Sequence, residues 1–373
     1  MPPESQPGLP GVRRDYSAYE KGAEELIQKL GLTSNPDLVR DIIVTALRLS
    51  EDRAERGDVK VVSSSIRELR YAFKTFAPFT RVRKLSIFGS ARTPHENSSY
   101  LQCVDFSKEM VQRGWMIITG AGGGIMRAGN EGAGKDRSFG VNIRLPFEQR
   151  ANTVIHGDPK LVTFRYFFTR KLMFVKEADG VAFFPGGFGT MDEMYETLTL
   201  VQTGKTAPIP LVMVDAPGGT YWADWHGFVE RLIYRGLVSA EDNHLFKVAY
   251  DVKSAADEIT RYYRVFNSSR YVKSRLVIRM NHAVCDETLR RLKLDFADIH
   301  GGNIEQGGMH ADEAMETDLA HLPRLWLDFN RRNTGRLRQL IDVLNAEPLP
   351  EPSEPPCRTA SAADDDLGGA TGE

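Results

Sequence analysis

The chain has 373 residues, of which 41% are hydrophobic and 26% charged, and its formal net charge is −2 at pH 7. This length and balance are typical of a soluble protein of about two domains, and a nearly neutral chain has no electrostatic reason to take nucleic acid or an anionic membrane as its main partner. The three cysteines are far apart and form no CxxC pair, which argues against a disulfide framework or a structural zinc site and favours a cytoplasmic protein.

The first 80 residues are predicted to be a loose end followed by a helical arm. Residues 1–15 are rich in proline and polar side chains and are predicted to be disordered, and they lack the basic and apolar segments of an export signal. Helices are predicted at 16–30, 36–56 and 63–76, with Asn35 as the cap and Pro36 as the first residue of the second helix. We expect this arm, residues 16–80, to pack against the core or a sister subunit rather than to bind a ligand.

Residues 81–268 are predicted to form a Rossmann-like, doubly wound parallel sheet of the α/β class, because short apolar runs alternate with helical segments. Strands are predicted at 85–88, 115–119, 140–143, 181–184 and 210–214, and helices at 98–113, 125–135, 164–177, 191–203 and 222–235. Three of these strands end in glycine-rich turns. The carboxyl ends of the strands form the ligand crevice of such a sheet, so the turns are expected to converge.

Residues 269–346 are predicted to be a small C-terminal α+β module. A strand at 275–280, a helix at 286–295, a hairpin near 304–314, a strand at 325–329 and a helix at 335–345 give an order compatible with a ferredoxin-like type. A regulatory or oligomerisation role would suit such a module. Residues 347–373 alternate proline with acidic residues and then contain mainly Ala, Asp and Gly, which predicts a disordered tail.

The glycine turn after the strand predicted at 181–184 is the strongest functional signal in the chain. This apolar run is followed by the sequence PGGFGT at 185–190 and then by apolar residues at helical spacing. The glycines let the backbone approach a ligand closely, and the free N–H groups at the start of the following helix attract an anion. This strand, turn and helix therefore predict a phosphate-binding site.

Glu193 has two interpretations of equal weight. Thr190 and Glu193 have the spacing of a capping box, in which the glutamate carboxylate accepts a hydrogen bond from the Thr190 N–H. The apolar stripe from Met191 through Val201 instead places Glu193 on the opposite face of the helix, above the unshielded glycine turn. In that position its carboxylate would lie beside a ligand.

Arg170 also has two interpretations. The segment 164–175 is apolar around nearly its whole circumference, which predicts a deeply buried helix, and a guanidinium inside it needs a carboxylate or a phosphate as its partner. A structural ion pair, or an arginine whose head group reaches the surface, fits the sequence equally well.

The remaining motifs are weaker. The turn at 120–124 lacks the third glycine of a dinucleotide fingerprint, and the run at 129–135 has P-loop spacing but is followed by Asp136, where a Ser or Thr would hold magnesium. The eight histidines show no spacing typical of metal ligands. Neither a metal nor a cofactor is therefore expected.

The sequence PGGFGTMDE at 185–193 matches the motif PGGxGTxxE and resembles the LOG family, the cytokinin riboside 5′-monophosphate phosphoribohydrolases and related nucleotide nucleosidases. Thr169-Arg170-Lys171 precedes this motif at the distance usual in the family, and Gly89-Ser90 and Gly122-Gly123-Gly124 are also similar to it. The likeness covers residues 83–264, and the sequence LTLVQTGK at 198–205 resembles the longer bacterial members.

The resemblance implies a homo-oligomer that hydrolyses the N-glycosidic bond of a nucleoside 5′-monophosphate, AMP or a cytokinin riboside monophosphate, to free base and ribose 5-phosphate. It makes Arg170 and Glu193 the catalytic pair, and it assigns substrate and phosphate binding to Gly89, Ser90, Gly122, Gly123, Gly124, Gly186, Gly187, Gly189 and Thr190. Such proteins have also carried a lysine decarboxylase label, but the chain lacks the His-Lys dipeptide that commonly anchors pyridoxal phosphate. The alternative function is a non-catalytic carrier or sensor of a nucleotide or phosphorylated cofactor.

Overall fold

The computed structural model of the protein describes residues 16–145, 150–313 and 317–347. The disorder predicted at 1–15 and 348–373 lies outside these residues. Glu347, the first residue of the predicted tail, is instead buried, and its carboxylate accepts a hydrogen bond from the Cys285 N–H at 3.0 Å. None of the helices in the described ranges has the length and apolar character that a membrane crossing requires.

The chain divides into two compact units, one ending at Lys74 and the other beginning at Thr75. The first unit contains α1 (Ser17–Lys29), α2 (Pro36–Glu51) and most of α3 (Arg56–Phe76). The Arg48 guanidinium lies 4.2 Å from the centre of the Tyr16 ring, and the Tyr19 hydroxyl donates to the Glu51 carboxylate, so α1 and α2 are held together where their ends meet.

Three details of the predicted arm are wrong. The second helix, predicted at 36–56, ends at Glu51. Asn35 does not cap α2, because its side chain makes no capping hydrogen bond and its backbone is left-handed, with φ of 50°. The third helix begins at Arg56 rather than at 63. Its first turns contain a glycine and several valines, which have low helix propensity, and the sequence therefore did not predict this part of the helix. The unfavourable propensity amounts to less than about 1 kcal/mol per residue, so it does not prevent the helix from forming.

The second unit begins with the predicted α/β fold. Its elements in chain order are β1 (Lys84–Phe88), α4 (Ser98–Gln112), β2 (Met116–Thr119), α5 (Gly124–Ala133), β3 (Ser138–Ile143), β4 (Leu161–Phe164), α6 (Phe167–Lys176), β5 (Gly180–Phe183), α7 (Phe188–Gln202), β6 (Leu211–Val214), α8 (Tyr221–Tyr234), β7 (Phe246–Ala249) and α9 (Val252–Arg261). The sequence missed β4 and β7. Both strands are four residues long, and the helix predicted at 164–177 wrongly includes Phe164 of β4.

The strands of this domain form one parallel sheet in the order β4-β3-β2-β1-β5-β6-β7. The central strand β1 pairs with β2 on one side and with β5 on the other, so that Ser86 lies opposite both Ile118 and Val181. The strand order reverses at this point. In open α/β sheets the crevice beyond the carboxyl ends of such strands is where ligands bind.

Every residue of β1, β2, β5 and β6 is buried, as expected for a parallel sheet with helices on both faces. The core therefore lies directly behind the ends of the strands that flank the reversal. Turns that leave a rigid, fully packed sheet hold their positions more accurately than turns on a mobile element.

The C-terminal module differs from the predicted ferredoxin-like order. It contains β8 (Phe266–Val272), β9 (Arg275–Met280), α10 (Asp286–Asp295), α11 (Ala297–His300), β10 (Ile304–Gly307), β11 (Arg324–Leu327) and α12 (Thr334–Leu344). Its antiparallel sheet has the order β10-β11-β9-β8, and two strands precede the first helix. The predicted hairpin near 304–314 is also wrong, because β10 pairs with β11 across a longer connection.

The module is joined to the parallel domain at the end of α7. The Thr334 hydroxyl, at the start of α12, donates to the carbonyl of Gln202, the last residue of α7, at 2.7 Å. Arg338 of α12 is buried and forms ion pairs with Asp342 at 2.9 Å and with Glu258 of α9. The helix that follows the PGGFGT turn is therefore held at its far end by the module.

Candidate functional site

A cavity of about 800 Å³ lies at the carboxyl ends of β1, β2 and β5, where the strand order reverses. The three glycine-rich turns converge on it, as predicted, because Gly89, Gly122 and Gly186 all line its wall. Side chains from the start of α6 and from the first two turns of α7 complete the cavity.

The PGGFGT turn presents the start of α7 to this cavity. The helix begins at Phe188, and the preceding residue, Gly187, has no side chain with which to cap it. A Cβ added at Gly187 or Gly189 would meet no atom within 4 Å, whereas one at Gly186 would lie 2.1 Å from Thr190 Oγ1. Gly186 is therefore required for close packing, and the N–H groups of the first turn are unscreened, which is the arrangement that binds anions.

Glu193 does not belong to a capping box. Because α7 begins at Phe188, Thr190 is already inside the helix, and Glu193 lies in its second turn. Its Oε1 accepts a hydrogen bond from Arg170 Nη2 at 2.9 Å. The capping interpretation is therefore wrong, and the carboxylate lies in the cavity wall beside the glycine turn.

Arg170 and Glu193 form a largely buried ion pair, with 12% and 13% of their side-chain surfaces exposed. Burial raises the pKa of Glu193 to about 7, although the positive charges of Arg170 and Lys171 act in the opposite direction. This carboxyl group therefore changes its charge near neutral pH, as a general base is required to do.

Two aromatic rings of α6 lie near the Arg170 guanidinium, which is 5.1 Å from the centre of the Phe167 ring and 5.6 Å from that of Phe174. The prediction that this helix is buried all round is wrong. Phe167, Phe168 and Leu172 are 51%, 55% and 47% exposed, whereas Thr169, Met173, Phe174 and Val175 are buried.

Lys171 forms a second connection between α6 and α7. Its Nζ lies 2.7 Å from Asp192 Oδ2 and 3.0 Å from Glu196 Oε2. These ion pairs flank the pair formed by Arg170 and Glu193. They add a second, more exposed contact between α6 and α7 beside the buried pair.

Backbone hydrogen bonds join the three turns into one structure. The Ser90 N–H donates to the Pro185 carbonyl at 3.1 Å, and the Ser90 carbonyl accepts from the Ile125 N–H at 3.0 Å. Gly124 has φ of +54°, and a Cβ at this position would lie 2.2 Å from the Ser90 carbonyl oxygen. Of the predicted site residues, Gly123 and Gly124 are not part of the cavity lining, and the others line it: Gly89, Ser90, Gly122, Arg170, Gly186, Gly187, Gly189, Thr190 and Glu193.

The sequence did not single out several residues that also line the cavity, among them Arg92, Asn142, Phe188 and Tyr221. The Tyr221 hydroxyl donates to the Gly186 carbonyl at 2.5 Å and so supports the PGGFGT turn from the start of α8. Arg92 adds a second cation and follows Ser90 closely enough for the sequence to have suggested it. Tyr221 comes from a distant element, so only the fold reveals it.

The structure also shows where the weaker sequence motifs lie. The run at 129–135 begins inside α5 rather than after a strand, so it is not a P-loop. Among the residues that the structure describes, no group of three or more His, Cys, Asp or Glu side chains is placed to hold a metal ion.

Comparisons with known proteins find one family model and a set of similar plant proteins. A family model described as "Possible lysine decarboxylase" matches residues 121–259. The probable cytokinin riboside 5′-monophosphate phosphoribohydrolase LOG4 of Oryza sativa subsp. japonica is 26% identical over 185 residues, which is 48% of this chain and 77% of that protein. The cytokinin riboside 5′-monophosphate phosphoribohydrolase LOG3 of Arabidopsis thaliana is 23% identical over 189 residues, which is 49% of this chain and 84% of the relative.

Similar solved structures include the molybdenum cofactor carrier protein of Chlamydomonas reinhardtii, at 19% identity and a TM-score of 0.35, covering 48% of this chain and 98% of that one. The molybdenum cofactor binding protein of Rippkaea orientalis, at 16% identity and a TM-score of 0.33, covers 48% and 94%. At these scores the two structures give no information about the activity of this chain. The sequence relatives and the motif that lines the cavity agree with each other: the chain is similar to the LOG family, and the residues that match the family model all lie in its parallel-sheet domain.

Proposed function

We propose that the protein is an N-glycosyl hydrolase that cleaves a nucleoside 5′-monophosphate, AMP or a cytokinin riboside monophosphate, to free base and ribose 5-phosphate. The observation that carries the proposal is the buried pair of Arg170 and Glu193, which shares one cavity with the uncapped start of α7. A carboxylate and an anion-binding turn in one cavity suit the sugar and the phosphate of one nucleotide. The names of the plant relatives describe the same class of reaction.

Glu193 is assigned to the sugar. Breaking the bond between C1′ and the base builds positive charge on the ribose, and a carboxylate stabilises that charge more strongly than it stabilises the neutral ground state. As water forms its new bond to C1′, Glu193 accepts the proton that the water loses, and the electrons of the broken bond leave with the base. Arg170 orients the carboxylate and assists the departure of the base.

The phosphate is assigned to the N–H groups at the start of α7, with Gly187, Gly189 and Thr190 as its binding residues and with Gly89, Ser90 and Gly122 closing the pocket. Hydrogen bonds to a charged group are stronger than those between neutral groups, and adenosine has no phosphate with which to make them. We therefore expect kcat/KM for AMP to exceed that for adenosine by at least about tenfold. Chromatography of released adenine measures both, and equal turnover would rule out this assignment of the phosphate.

Activity is expected to rise with pH through about 7, because Glu193 acts as a carboxylate and its pKa is raised to about 7 by burial. Below this pKa the group is protonated and neutral, and kcat/KM for AMP should fall about tenfold for each pH unit. The affinity for ribose 5-phosphate over the same range is the control, since a phosphate monoester itself titrates near pH 6. A profile without an acidic limb would contradict the role of Glu193.

The test of the whole proposal is incubation of the pure protein with a panel of nucleoside monophosphates, followed by chromatography for free base. Release of base with formation of ribose 5-phosphate supports the hydrolase. Tight binding of a nucleotide without release of any base would replace it with the carrier or sensor, for which the attachment of the C-terminal module to the end of α7 would provide a route of communication.

The proposal includes a homo-oligomer. Phe167, Phe168 and Leu172 form a half-exposed apolar face on α6, next to the arginine of the ion pair. Exposed apolar surface of this kind is typical of protein interfaces, so a second copy of the chain is its proposed cover. We propose a regulatory role for the C-terminal module on the basis of its contact with α7.

A further inference from the structure

The turn after β2 contains a strained residue. Ala121 has φ of +60°, in the left-handed region that residues with a Cβ rarely adopt, and it is fully buried. Such a conformation persists only where the surrounding structure holds it, and it is most often found at functional sites. Its neighbours Gly120 and Gly122 line the cavity. The conformation of Ala121 therefore determines where part of the cavity wall lies.

Asn152, in the connection between β3 and β4, holds this turn from outside. Its backbone N–H donates to the Ala121 carbonyl at 2.7 Å, and its side-chain Nδ2 donates to the Gly122 carbonyl at 3.1 Å. The second hydrogen of the same Nδ2 is directed to Asn130 Oδ1 at 3.0 Å. Both carbonyls of the strained segment are thus bound by one residue.

The Asn152 side chain is itself fixed by its own loop. Its Oδ1 accepts from the N–H groups of Val154 and Ile155 at 3.2 and 3.4 Å. An asparagine amide has two hydrogens and one oxygen with two lone pairs, and all of this capacity is used. The orientation of the donor to Gly122 is therefore determined on both sides.

Two buried polar residues beside the turn, Thr119 and Asn130, take part in the hydrogen bonds that hold it. The Thr119 hydroxyl donates to Asn130 Oδ1 at 2.8 Å and accepts from the Ala121 N–H at 3.0 Å. Asn130 thus gives its oxygen to two donors, while its buried Nδ2 has no partner within the described parts of the chain. An unpaired buried amide is costly, so its presence here indicates that holding the turn takes precedence.

We propose that Asn152 is a positioning residue of the nucleotide site, which keeps the turn at 120–124 in its strained form and thereby fixes Gly120 and Gly122 at the cavity wall. The identity of the ligand rests on the proposed function, whereas the hydrogen bonds by which Asn152 holds the turn at 120–124 do not depend on it. Asn152 contacts the turn from behind and acts on the ligand only through it.

The variant Asn152→Asp removes the side-chain hydrogen bond to the turn but keeps the hydrogen bonds within the loop that contains residue 152. Aspartate keeps the backbone N–H and the oxygen that binds Val154 and Ile155, so the loop retains its own hydrogen bonds. It loses both Nδ2 hydrogens and turns a carboxylate oxygen toward the carbonyl of Gly122 and the oxygen of Asn130. Thr153→Ala, at the exposed neighbouring position, is the matched control.

The first measurement is hydrogen exchange in the ligand-free protein, followed by mass spectrometry of the peptide that contains the Ala121 and Ile125 amides. Both amides are hydrogen-bonded in the turn, and we expect them to exchange at least about tenfold faster in Asn152→Asp than in the wild type or in Thr153→Ala. The second is the dissociation constant of ribose 5-phosphate by calorimetry, which we expect to rise about tenfold.

A double variant tests the strain directly. Glycine accepts the left-handed conformation without penalty, so Ala121→Gly combined with Asn152→Asp should restore the affinity to within about threefold of the wild type. Unchanged exchange in Asn152→Asp, faster exchange with unchanged affinity, or a double variant as weak as the single one would each overturn the proposal. If the wild type binds neither ribose 5-phosphate nor AMP, the proposed function fails, and the exchange rates still decide whether Asn152 holds the turn.

Discussion

Replacement of Glu193 by glutamine is expected to reduce the release of adenine from AMP by about 10²–10³-fold while leaving the fold intact. Glutamine has nearly the same shape and keeps an oxygen that can accept from Arg170 Nη2, so the contact between α6 and α7 survives. The negative charge that would stabilise the ribosyl transition state is lost, together with the group that accepts the proton from water.

The measurement is kcat/KM for AMP, accompanied by a thermal unfolding curve for each variant. Asp192→Asn is the matched control, because Asp192 is the adjacent residue, is exposed, and pairs with Lys171 rather than with Arg170. We expect it to keep its activity to within about threefold, in line with the small contribution of exposed ion pairs. If Glu193→Gln retained more than about a tenth of the wild-type activity, the chemistry would have to be assigned to another group.

The sequence predicted those parts of the fold in which an apolar run and a glycine turn follow each other directly along the chain. β1, β2 and β5 are buried, largely apolar runs that are each followed by a glycine within three residues, so their positions and the convergence of their turns could be predicted. β8 could not, because its sequence FNSSRYV is polar and its strand conformation depends on pairing with β9. β7 was missed for a similar reason, since it pairs only with β6, across a long connection.

The functional interpretation of Glu193 depended on where α7 begins. A start after Thr190 would have made a capping box, whereas the observed start at Phe188 puts Glu193 in the second turn, facing Arg170. Gly186 packs closely against Thr190 and Ser90 where α7 begins, and the spacing of residues in the sequence does not predict these contacts. Asn152 gave no signal either, because its role consists of contacts with residues 22 and 30 positions away.

Removal of the guanidinium by Arg170→Met is expected to lower kcat/KM for AMP at pH 7 by about 10²-fold, for two physical reasons. The leaving base loses its assisting group, and Glu193 loses the positive charge that lowers its pKa. The pKa of Glu193 should therefore rise further above 7, so that less of the carboxylate is present at neutral pH. The acidic limb of the pH profile should move to higher pH, with partial recovery of activity on the alkaline side.

Arg170→Lys is the matched control for charge. Lysine keeps the positive charge next to Glu193 but lacks the planar fork of the guanidinium, so it should leave the acidic limb near its wild-type position while still lowering the maximum rate. A methionine variant whose limb does not move would show that Arg170 does not control the ionisation of Glu193. Thermal unfolding of both variants is the necessary check, because removal of one partner from a buried ion pair typically costs about 3–5 kcal/mol.

The double variant Arg170→Met with Glu193→Gln determines whether the two residues act as one unit. If Arg170 acts mainly by orienting and ionising Glu193, its removal has little left to damage once Glu193 is glutamine, and the double variant should be only slightly slower than Glu193→Gln alone. Losses that multiply would instead assign Arg170 an independent role at the leaving base. The hydrogen bond of 2.9 Å between the two side chains, made in a largely buried setting, favours the coupled outcome.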